Sequence, residues 1–152
     1  MTTVATRSAV VCALALALVG CTQPPAAQQT TPPTSAVVEE RAQQKAALDA
    51  YVEAERATIP AIKESSPGVY SDISVQAVYP STIDYHYVYV QQVDPTAAND
   101  YFESSMETLQ ALCDTKVFPA MASVGVTDPQ KATYTFDNAD GSELWSHTFE
   151  SS

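Results

Sequence analysis

The chain has 152 residues, 7 Lys+Arg against 18 Asp+Glu, and a net charge of −11. That length suits one domain. So acidic a balance fits poorly with nucleic acid, or with charge-driven binding to anionic lipid.

Arg7 gives a thin positive start, and Ala9 to Val19 is an apolar run of Ala, Val, Leu and Cys12. The run is too short to span a bilayer core of about 30 Å as a helix, and reads as a secretory signal. It closes on Leu18-Val19-Gly20-Cys21. Those four residues resemble the lipobox of bacterial lipoproteins. The resemblance implies cleavage between Gly20 and Cys21, with residues 1–20 removed as the signal peptide. The Cys21 thiol would carry a diacylglyceryl group, and its new amine a further acyl chain in some bacteria. Two chains or more make a stable anchor where one is marginal. The expected location is therefore the cell membrane, lipid-anchored and facing the extracytoplasmic side. Without the signal the chain keeps six basic and 18 acidic residues, a charge of −12. Cys12 leaves with the signal and Cys21 is lipidated. Only Cys113 remains, so the domain is expected to have no internal disulfide.

Residues 21–36 hold the lipidated Cys and a Pro/Gln/Thr tether, TQPPAAQQTTPPTSA. It has no charge, no aromatic and no periodicity, and cannot offset its chain entropy by burial. Two Pro-Pro pairs bias it to polyproline II, so fifteen residues reach roughly 45 Å.

A single domain is expected over 37–152. Val37 to about Ile62 is rich in helix formers, and Leu48, Tyr51, Val52, Ile59 and Ile62 share one stripe. Pro60 predicts a kink, or an end near Thr58. Ile73, Val75, Ala77 and Tyr79 then alternate with polar residues, as do Ile83, Tyr85, Tyr87 and Tyr89 after a turn at Pro80-Ser81-Thr82. This is a hairpin signal. A three-residue turn pairs Tyr79 with Ile83 and puts both aromatic-aliphatic sets on one face; a two- or four-residue turn would part them.

Asp94-Pro95 opens a second helix as N-cap and first-turn proline. Phe102, Met106, Leu109, Leu112, Cys113, Val117, Ala120, Met121 and Val124 form its apolar face, interrupted by Pro119 and closed by Gly125. A second hairpin follows. Ala132, Tyr134 and Phe136 alternate with Thr133 and Thr135; Asn138-Ala139-Asp140-Gly141 turns; Trp145, His147 and Phe149 alternate with Ser146 and Thr148. The predicted fold is α+β, helix-hairpin-helix-hairpin (αββαββ). A four-stranded antiparallel sheet would carry both helices on one face. Ile59-Pro60-Ala61-Ile62 and Phe118-Pro119-Ala120-Met121 match at an offset of 59, which suggests an internal duplication.

The stretch Val69-Tyr70-Ser71-Asp72-Ile73-Ser74-Val75, the strand Tyr85 to Val90 and the Asp140-Gly141-Ser142 turn resemble a Gram-positive lipoprotein domain family of unknown function. The resemblance is structural and implies no activity.

No glycine-rich phosphate loop, HExxH, CxxC or GxSxG is present, so no catalytic residue, metal site or cofactor is assigned. Asp84 and His86 share a strand face, in the manner of an oriented base or half a metal site. Cys113 lies on an apolar stripe and reads as a buried small hydrophobe. The tyrosines read as helix-covered core, with a carbohydrate or peptide platform as the other reading. The opposite sheet face would present Gln76, Val78, His86, Val88, Val90, Thr133, Thr135 and Thr148. Val78, Val88 and Val90 would form a modest apolar patch around His86. The expected function is a non-catalytic binding module for an envelope protein or peptide. The alternatives are an envelope enzyme using Asp84 and His86, or an inhibitory module that docks on an enzyme.

Overall fold

The computed structural model describes residues 35–127 and 129–152. The lipobox with Gly20 and Cys21, the tether up to residue 34, and Asp128 lie outside the described residues. Helix α1 runs Ser35–Arg56 and α2 Ile59–Ser65; strands β1 and β2 are Tyr70–Val78 and Thr82–Tyr89. Helix α3 is Pro95–Leu112, followed by a π-helical turn at Cys113–Val117 and by α4 at Phe118–Ser123. Strands β3, Lys131–Asp137, and β4, Glu143–Glu150, complete an α+β domain.

Each helical region is broken where its proline predicts. Pro60 stands in the first turn of α2, four residues after the end of α1 at Arg56. Pro119 has no N–H and would crowd the carbonyl four residues back. The ladder widens just before it: Phe118 N–H bonds Cys113 O, an i to i−5 step. The extra residue turns α4 relative to α3. Val117, Phe118 and Met121 face the sheet, while Leu112 and Val124, expected in the core, are each 44% exposed. Asp94 caps α3 as its sequence predicts, its side chain accepting from Ala97 N–H at 2.9 Å.

The sheet order is β1-β2-β3-β4. Strands β1 and β2 pair antiparallel, as do β3 and β4, but β2 and β3 pair in parallel. The sheet is therefore mixed, not fully antiparallel as expected. The reason is the connection. Residues 90–130 carry the chain back along the sheet through α3 and α4, so β3 starts at the end where β2 started, with Thr82 opposite Lys131. The mixed pairing also bears on duplication. The second hairpin repeats the left-to-right order of the first but with both strand directions reversed. No rotation that keeps the helices on one face superposes the two.

The first hairpin closes two residues from the expected register: Ala77 opposes Ile83 and Val78 opposes Thr82, with Tyr79-Pro80-Ser81 as the loop. A shift of two conserves side-chain parity, so the expected faces survive. Val75, Ile83, Tyr85, Ala132, Tyr134, Trp145 and Phe149 are buried in one cluster with Leu48, Tyr51, Val52, Phe102, Cys113 and Met121, and Ile73 is buried as well. Tyr85 and Tyr134 are opposite in the parallel pair and stack at 4.8 Å; Tyr87 and Phe136 do the same one rung on. Tyr85 and Tyr134 are thus covered by the helices, while Tyr87 and Tyr89 are half-buried. At the free edge of β1, Arg56 Nε donates to Val75 O at 2.8 Å and Lys63 Nζ to Ser71 O at 3.2 Å. Cationic side chains on an edge discourage pairing with another chain.

Candidate functional site

Alternation sends every second strand residue to the face without helices. Across that face run polar rungs. Ser74, His86, Thr135 and Ser146 align in one; Gln76, Asp84, Thr133 and Thr148 in the next. The hydroxyls pair sideways: Thr133 with Thr148 at 2.9 Å, and Thr135 with Ser146 at 3.0 Å. Such pairs tie neighbouring strands together on a surface of small polar groups.

His86 is the centre of this face, on an inner strand. Its Nε2 lies 2.7 Å from Asp137 Oδ2, with side-chain exposures of 35% and 17%. Asp137 follows Thr133 and Thr135 on the same face, at the end of β3, opposite Val88. The sequence pairs His86 with Asp84 instead. It holds the alternation that puts Asp137 on this face, but not the parallel register that brings Asp137 to His86.

Asp84 sits one rung away and is half-buried. Its Oδ1 is the one fully buried side-chain oxygen without a hydrogen-bond partner among the described residues. Burial pushes its carboxyl above the ordinary carboxylate range, and the nearby His86 partly offsets this. The two residues therefore share a face but not a bond. Among the described residues no group of three or more His, Cys, Asp and Glu is arranged to hold a metal.

Val88 and His86 are half-buried neighbours along β2, and Val90 lies just beyond its end, 46% exposed. Val78 is 50% exposed but stands opposite Thr82. Six strand residues separate that rung from Val88, about 20 Å. The expected three-valine patch is thus not contiguous. Val88 and Val90 form one end, joined by the exposed Val69, whose carbonyl accepts from Val90 N–H.

No family model, curated protein or solved structure matches this chain. Its functional reading therefore rests on its own residues. Four clefts stand out in the domain, and none is lined by Asp84, His86 or Asp137. A histidine-carboxylate pair on a strand surface can hold a proton or accept a charged partner.

A buried residue that the sequence marks only as a turn also shapes this end of the sheet. Asn138 is fully buried. Its Oδ1 accepts from Val93 N–H at 2.7 Å and its Nδ2 donates to Val93 O at 3.0 Å. It ties the β3–β4 turn to the segment that enters α3.

Proposed function

We propose that this protein is an extracytoplasmic lipoprotein held on the membrane through Cys21, and that its domain is a non-catalytic interaction module of the cell envelope. The observation that carries the second part is the sheet face without helices. It is crossed by paired hydroxyls and bordered by Val88, Val90 and Val69. An envelope protein or peptide would lie across β2 and β3, over His86 and Val88. The lipobox resemblance supports the anchor. An inhibitory module docking on an enzyme would use the same face. The envelope-enzyme reading draws its support from the His86–Asp137 pair.

Two experiments test the two parts. Cys21→Ser should move the protein from the detergent phase to the aqueous phase in a cloud-point separation; unchanged partitioning removes the anchor. A photo-crosslinker at position 88 should give a defined adduct in native membranes, and one at the exposed helix position Glu107 should not. Val88→Lys should abolish that adduct while leaving Tm nearly unchanged. Equal crosslinking from both positions removes the docking face.

A further inference from the structure

The helices do not close over the whole inner face of the sheet. Between the α1–α2 side and the π turn with α4 a cleft of about 410 Å³ remains. That lies within the 300–1,000 Å³ usual for small-ligand sites. Its floor is aromatic: Tyr51 from α1, with Tyr85 and Tyr134 stacked beneath. Its mouth carries two opposite charges. Glu55 comes from α1, one turn after Tyr51, and Lys116 from the π turn. Glu55 bonds the Tyr51 hydroxyl, and neither charge is in an ion pair among the described residues.

The two breaks in the helices produce this arrangement. A continuous helix through Pro119 would keep the α3 phase. The π turn places Lys116 at the cleft wall, beside Leu112 from the end of α3. Insertions of this kind are frequent at functional sites.

We propose that the cleft binds a small zwitterion with a bulky apolar body, of the chemistry of a free aromatic α-amino acid. The ring would lie on the tyrosine floor, where offset stacking favours a flat apolar group. The ammonium would meet the half-buried Glu55 and the carboxylate the exposed Lys116. Burial holds the floor phenols neutral, with Tyr51 pushed up to about 12 and Tyr85 and Tyr134 also raised. The floor therefore offers hydroxyls and ring faces but no charge, which excludes a ligand whose charged end must point inward. This site lies on the opposite side of the sheet from the docking face and does not depend on it.

The test is calorimetric titration of the full chain in detergent with L-phenylalanine, 3-phenylpropionate, which lacks the ammonium, and phenethylamine, which lacks the carboxylate. L-phenylalanine should bind saturably at one site, and each analogue at least about tenfold more weakly, the equivalent of about 1.4 kcal/mol. Glu55→Gln should weaken L-phenylalanine but not 3-phenylpropionate. Lys116→Gln should weaken L-phenylalanine but not phenethylamine. Lys116 is exposed and Glu55 half-buried, and an unchanged Tm certifies the fold of each variant. No saturable heat with L-phenylalanine up to about 10 mM overturns the proposal. So do analogues that bind as well as the amino acid, or binding that both variants leave intact.

Discussion

His86 Nε2 and Asp137 Oδ2 meet at 2.7 Å across the parallel pair of β2 and β3. The bond links the two hairpins on the face without helices, at the one strand junction that no tight turn enforces. Its energy is that of a partly exposed pair, about 0.5–1 kcal/mol. His86→Gln, Asp137→Asn and the double variant, compared by urea unfolding, should show a coupling of that size. A coupling of zero would mean that the contact does not help hold β2 against β3.

Asp84 should respond to pH in the opposite sense to a salt-bridged carboxylate. Burial raises its carboxyl above the ordinary 3.8, so the folded state holds the proton more tightly than the unfolded chain. The resulting penalty is absent below the unfolded pKa and grows as pH rises through the folded one. Asp84→Asn should therefore raise Tm at pH 7, and that gain should vanish below about pH 4. A Tm difference that does not change with pH would remove this assignment.

Cys113 is fully buried at the start of the π turn, and burial pushes its thiol up to about 11. Both access and thiolate fraction are then low. A thiol reagent should label it slowly in the native protein and rapidly in denaturant. Cys113→Asp places a charge without a counter-charge in the core and should cost several kcal/mol, on the order of 3–5. Fast native labelling would show that the π turn opens far more readily than its packing implies.

Asn138 should be worth more than a turn residue. Asn138→Ala leaves both the N–H and the C=O of the half-buried Val93 without a side-chain partner. A loss of about 2–3 kcal/mol is expected in chemical denaturation. Asn138→Asp should retain the bond from Val93 N–H but lose the donor to its carbonyl, and should destabilise as well. A loss below about 0.5 kcal/mol, the range of ordinary surface substitutions, would show that water replaces the side chain.

Local chemistry determined most of the elements. The alternation of Tyr85 and Tyr87 with Asp84 and His86 assigns β2's two faces whichever strand pairs with it, because side chains alternate with a period of two. The hairpin register slipped by two, and the faces held for the same reason. Asp94 as cap, Pro60 and Pro119 as breaks and Gly141 at φ +81° act within one or two turns of chain, so they are readable one residue at a time. Only the tertiary structure decided that β3 runs parallel to β2. That choice depends on how the segment 90–130 packs back over the sheet, a long-range balance of burial that no local pattern records. The same choice gives His86 Asp137 as its partner in place of Asp84, and sets the two hairpins in opposed directions. The cleft over Tyr85 and Tyr134 is tertiary too. It exists because two helical regions, each broken at its own proline, leave a gap where they meet above the sheet.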